Sequence, residues 1–170
     1  VLTVAPDGSM GVAWRRRVMR EGEENWNLYF AILNSEGELR HGPYNLTQNE
    51  DWYQSDPVSM GVPRFQSVHL EANQDNTFGL IWHRESTEDP AGPCTDNCTL
   101  DDIYYSIWNT GGQKIKPITR LTTDTPGMGE GYSSPAIQPL AGGRWLLVYS
   151  HLPGGMAFSV MDSEGNLIRG

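Results

Sequence analysis

The chain has 170 residues, enough to bury a core as a single domain, and its formal net charge of −9 argues against a general affinity for nucleic acid or anionic membranes. Nineteen Gly, eleven Pro and six Trp, with charged residues at 19%, suit a turn-rich all-β protein. No apolar run approaches the ~18 residues that a membrane helix needs.

In chain order, a short strand is predicted at Leu2–Val4, then an apolar run, GVAW, ending at Trp14. Arg15, Arg16 and Arg17 follow directly and read as the start of a loop. The alternating stretch LYFAIL predicts a third strand, and Asn34-Ser-Glu-Gly37 predicts a tight turn. Asx with Gly three residues on is turn chemistry, because Gly accepts positive φ and the Asx side chain bonds back to its own backbone. A fourth strand then ends in Asn45-Leu-Thr47.

After a long connection holding Trp52 and Tyr53, the cycle returns as SVHL, FGLIW ending at Trp82, the pair His83-Arg84, IYYSIW, the turn Asn109-Thr-Gly-Gly112, and a strand ending in Arg120-Leu-Thr122. A second connection carries Tyr132. The third round reads AIQPL, WLLVY ending at Tyr149, the pair Ser150-His151, AFSVM and the turn Asp162-Ser-Glu-Gly165. Four short strands per round with no helical periodicity predict an all-β fold, a β-propeller of about three four-stranded antiparallel blades near 1–47, 65–122 and 135–170. A sandwich shares the strand signals but gives no reason for the cycle to recur.

This cycle resembles the degenerate blades of secreted bacterial propellers, including sialidase-like and lectin-like proteins, over almost the whole chain. The turn Asn-Ser-Glu-Gly-Glu-Leu departs from the sialidase box Ser-x-Asp-x-Gly-x-x-Trp, having no Asp two before the Gly and no following Trp. The resemblance implies an extracellular or cell-surface setting. Propellers need ~4–8 blades to close, so the expected partners are the remaining blades of a longer chain or a second copy completing the ring. The start on VLTV and the stop soon after Gly165 favour the longer chain at this point.

The variation in length falls between strands two and three and between strand four and the next round, and an up-and-down blade sends both classes of loop to one face. Long loops on a rigid scaffold are where binding sits. Arg15, Arg16, His83, Arg84 and His151 follow the same strand in successive rounds and are candidates for a cationic rim that recognises a carboxylate or sulfate. Pairing of these groups with Glu21, Glu23, Glu24, Glu85 or Glu88 is the alternative. Trp52, Tyr53 and Tyr132 are candidate sugar-stacking rings or loop plugs. Trp14, Trp82 and Tyr149 recur at one blade position and are expected in the core between blades.

Cys94 and Cys98 sit in GPCTDNCTL, close enough to form a small disulfide ring, with two free thiols as the alternative. In the same acidic stretch Asp96, Asp101 and Asp102 with backbone carbonyls leave a Ca2+ site open, although the D-x-D-x-D-G order of a dedicated loop is absent. Otherwise no cofactor is implied. Asn45 and Asn97 match the short glycosylation pattern, which also arises by chance. Glu50, Asp51, Asp56, Glu85 and Glu130 lie on candidate loops, but no spacing selects a catalytic pair. No nucleophile elbow, phosphate loop or His-Glu metal motif occurs. The expectation is a non-catalytic extracellular binding or structural module with a glycan or protein ligand; the alternative is a glycoside hydrolase or sialidase-like enzyme.

Overall fold

A computed structural model describes residues 1–20, 23–47, 67–86, 100–122, 131–152 and 154–169. Among the described residues the regular elements are strands: β1 (Leu2–Val4), β2 (Met10–Arg20), β3 (Glu23–Leu33), β4 (Leu39–Asn45), β5 (Val68–Ala72), β6 (Thr77–Ser86), β7 (Leu100–Asn109), β8 (Lys114–Arg120), β9 (Gly131–Pro139), β10 (Trp145–Leu152), β11 (Met156–Met161) and β12 (Leu167–Arg169). They make three four-stranded sheets, β1–β4, β5–β8 and β9–β12, each an antiparallel meander in sequence order. Each cycle of strands read from the sequence is therefore one sheet.

The turns have the expected chemistry. Asn34 Oδ1 accepts from the NH of Glu36 at 3.1 Å and of Glu38 at 2.8 Å, and Asp162 Oδ1 accepts from the NH of Glu164 at 2.9 Å and of Asn166 at 2.8 Å. Asn109 Oδ1 takes the NH of Gln113 at 2.9 Å. The closing glycines Gly37, Gly112 and Gly165 have φ of 85°, 78° and 77°, a region open to glycine at little cost.

The Asn166 NH, which outweighs an opposing effect of desolvation and is joined by bonds from the Asn166 side chain and the Glu164 NH and by the charge of Lys116, holds the Asp162 carboxyl below its ordinary range. A depressed folded value means that the ionised form supports the turn above the unfolded pKa and that this support is lost as pH falls through the folded one. An NMR titration of the Asp162 carboxyl is expected to give a midpoint below 3.8. Asp162→Asn keeps the acceptor, as at Asn34 and Asn109, and is expected to remove that acid sensitivity. A midpoint at or above the ordinary value would contradict the turn geometry.

The sheets stack in sequence order. Alternation along β6 sends Phe78, Leu80 and Trp82 into one buried cluster with Ala13, Leu28, Phe30 and Ile32 of the first sheet. The intervening Ile81 enters a second cluster with Ile137, Trp145, Leu147 and Tyr149 of the third. The middle sheet is thus covered on both faces. The sheets come closest at two glycines: a Cβ on Gly11 would lie 2.8 Å from the Phe78 ring, and one on Gly79 would lie 2.8 Å from the Trp145 ring. Trp82 and Tyr149 are buried between sheets, as expected. Trp14 is half-buried and stacks on Tyr29 at 5.7 Å, on the face of the first sheet that no other described sheet covers.

One expectation needs correction. Arg15, Arg16 and Arg17 are not in a loop: β2 and β3 stay paired to the hairpin tip, where Arg20 stands opposite Glu23. In the same way Asp101 and Asp102 belong to β7, opposite Glu85 and Arg84 of β6. Each added pair of residues satisfies backbone groups that a loop would have left to water, so the hairpins run on past the apolar runs.

Candidate functional site

The meander sorts the connections. Turns between first and second and between third and fourth strands lie at one end of the sheets, and the β2–β3, β6–β7 and β10–β11 tips lie at the other. The second end carries the candidate cations. Trp52, Tyr53, Cys94, Cys98 and Asp96 lie outside the described residues, as do the side chains of Glu85 and Asp101.

Alternation decides which way each side chain projects. Arg15 has the parity of Gly11 and Ala13 and faces the gap between the first and second sheets. Arg84 has the parity of Leu80 and Trp82 and faces the same gap from the other side. Arg16 shares the parity of Val12 and Trp14 and projects from the opposite face of the first sheet. His83 shares the parity of Gly79 and Ile81, turns toward the third sheet and is 2% exposed. The five groups predicted to share one rim are thus divided: Arg15 and Arg84 share this gap, and Arg16 and His83 do not join them.

In the middle sheet, Trp82 stacks on Tyr104 at 6.1 Å and the Arg84 guanidinium lies 5.9 Å from the Tyr104 ring centre, within range for a cation–π contact. Arg120 is the cross-strand partner of Tyr104 and Asp102 of Arg84, so all four project into the gap between the first and second sheets. Asp102 is buried; one carboxylate oxygen accepts from Arg120 Nη2 and the other from the Thr122 hydroxyl at 2.9 Å. Thr122 Oγ1 in turn accepts the Ile103 NH at 2.9 Å. The first sheet repeats this clasp without the charge: Thr47 donates to Asn27 Oδ1 at 3.0 Å and accepts the Leu28 NH at 3.1 Å.

This clasp was not anticipated, although the recurrence of Leu-Thr at the same distance after the Asn34 and Asn109 turns was its signal. It also gives Asn45-Leu-Thr47 an internal role, since the Thr47 hydroxyl is bonded within the sheet and the Asn45 Oδ1 caps the Thr47 NH at 3.2 Å. For Asp102, the two oxygens already serve Thr122 and Arg120. Among the described residues, no three His, Cys, Asp or Glu side chains group as a metal site would require.

The remaining candidates lie between the second and third sheets. His151 projects toward the second sheet with Tyr149 and stacks on Tyr132 at 4.8 Å; Tyr132 meets Tyr149 edge-on at 5.9 Å. Both residues of that stack are half-buried, and Tyr132 packs against the second core cluster. Its ring fills the gap beside Tyr149. Among the described residues, no helix is long and apolar enough to cross a membrane. No family model matches the chain, and neither does any curated protein sequence.

Proposed function

We propose that the chain is a non-catalytic, extracellular binding module whose three sheets are blades of a β-propeller, and that it holds an anionic group of a glycan or protein partner at the hairpin-tip end of the gap between the first two sheets. The blade reading draws support from the four-strand meander repeated three times and from the stacking of each sheet on the next. The ligand reading rests chiefly on one observation: Arg15, Arg84 and Arg120 project into one gap of a chain whose net charge is −9. Arg84 sits over Tyr104, and Arg120 is held by Asp102, so two of the three guanidinium groups are positioned by other side chains. Planar guanidinium forks match carboxylate and sulfate oxygens in pairs.

The test is a calorimetric titration with sulfated and sialylated oligosaccharides at low and high salt. Arg15→Ala and Arg84→Ala are each expected to weaken binding by about 1.5–3 kcal/mol, roughly ten- to a hundredfold. Arg16→Ala projects from the other face and is expected to leave the affinity unchanged. Absence of binding by either class of oligosaccharide, or an equal loss in all three variants, would overturn the proposal.

A further inference from the structure

Each sheet in this chain has a forward face, turned to the next sheet, and a rear face, turned to the one before. Gly11, Ala13 and Phe30 are forward in the first sheet, and Gly79, Ile81 and Tyr105 are their equivalents in the second. Phe78, Leu80 and Trp82 are rear in the second sheet, and Trp145, Leu147 and Tyr149 are rear in the third. Two such interfaces are formed within the chain, and both follow one rule. The forward face offers a glycine, and the rear face fills it with a ring: Phe78 on Gly11 and Trp145 on Gly79.

Two faces of the same kind have no cover from a described sheet. The forward face of the third sheet holds Leu146, Val148, Phe158 and Val160, and the rear face of the first holds Leu2, Val4, Met10, Val12 and Trp14. Phe158 is 49% exposed, Leu2 57% and Val4 55%. Apolar residues alternate along the middle strands of both outer sheets, with Gln138 and Arg169 beside them on the flanking strands of the third, as Glu71 and Lys116 flank Gly79 and Ile107 in the second; that is a pattern for a buried face.

The equivalent positions also match in size. Leu146 stands where the other forward faces have glycine, and Met10 stands where the other rear faces have Phe or Trp. The side chain gained on one face is offset by the ring lost on the other, and a flexible Met adapts to a filled site. The third strands agree: the small residue at the middle of the rear face is Ser106 or Ser159 in the two formed interfaces and Ala31 in the first sheet.

We infer that the forward face of the third sheet is covered by the rear face of the first sheet of a second copy of this chain, two copies closing a head-to-tail ring of six sheets. The contact is heterologous, so each copy uses two different faces, and a half-turn between copies makes both contacts at once. Six blades fall within the range of closed propellers. The inference rests on the blade reading above but is independent of the anion site, and a chain that binds no oligosaccharide leaves it untouched.

Sedimentation velocity on the 170-residue chain tests it. A species of twice the chain mass is expected. Leu146→Arg is expected to give a monomer with an unchanged circular-dichroism spectrum, because Leu146 faces outward in the single copy. Leu146→Gly and Met10→Trp are each expected to weaken the dimer by about tenfold or more, and the double variant, which rebuilds the Gly–ring pairing of the other two interfaces, to return within about threefold of the original. A monomer at micromolar concentrations, an open polymer, a dimer indifferent to Leu146→Arg, or a double variant no better than the singles would each overturn the inference.

Discussion

Trp145→Ala is expected to destabilise the chain by about 3–5 kcal/mol, the range for removing a large buried ring. Trp145 is fully buried, and its indole Nε1 has no hydrogen-bond partner among the described residues. The loss is therefore one of packing alone, against Ile81, Ile107, Ile137 and Met161 in the core between the second and third sheets. A cavity there cannot be closed by a small shift, because the same sheet face is pinned elsewhere: the Tyr105 hydroxyl donates to the Gly165 carbonyl at 3.0 Å, and Asn73 Nδ2 donates to the Arg144 carbonyl at 3.1 Å.

The opposite change tests the same contact from the other side. Gly79→Ala would place its Cβ 2.7 Å from Ile137 Cδ1 and 2.8 Å from the Trp145 ring, at a cost of about 1–3 kcal/mol by overpacking. Gly37→Ala is the control, since nothing lies within 4 Å of its added Cβ and its cost is the positive φ alone, about 1 kcal/mol. Urea denaturation of all three variants measures these values. A loss below about 2 kcal/mol in Trp145→Ala, together with Gly79→Ala no worse than Gly37→Ala, would mean that the second and third sheets are not packed this closely.

The fold was legible where local chemistry and burial agree. Asn34, Asn109 and Asp162 mark turns because their side chains serve backbone groups two to four residues away, so the signal and its cause lie within one short segment. Trp82 and Tyr149 mark the second strands because each stands on the face that packs against the preceding sheet, where an apolar run is buried. Arg15–Arg17 read as loop in the sequence because a strand with polar residues on both faces carries no hydrophobic alternation, and its pairing with β3 is a matter of backbone hydrogen bonds. The division of the arginines followed from that: residues in a loop have no fixed parity, whereas neighbours on a strand project to opposite faces. Asp102 was the least legible. It stands in an acidic stretch that reads as solvated, and what buries it is decided by Arg120 at the end of β8 and Thr122 just beyond that strand, which the β7–β8 pairing brings beside it.

That buried carboxylate carries the second large effect. Asp102→Ala is expected to cost about 3 kcal/mol at neutral pH, the lower part of the range for breaking a buried ion pair, because the Arg120 side chain keeps 29% of its surface in contact with water. Two groups lose a partner at once: the Arg120 guanidinium, which then lies part-buried beside Tyr104, and the Thr122 hydroxyl, which keeps only its bond from the Ile103 NH. The first sheet supplies the comparison, since Asn27 performs the same clasp with Thr47 and carries no charge. Asp102→Asn should therefore preserve the Thr122 bond, lose the ionic part of the contact with Arg120, and cost roughly 1–2 kcal/mol. Thr122→Ala removes the hydroxyl that joins Asp102 to the Ile103 NH and should cost a similar amount. Because the three changes share one network, the double variant of Asp102→Ala with Thr122→Ala should cost less than the sum of its parts. Chemical denaturation of the four variants decides the matter: strict additivity, or equal losses for Asp102→Ala and Asp102→Asn, would show that the aspartate acts through its charge alone and that the threonine clasp is not the link between the third and fourth strands.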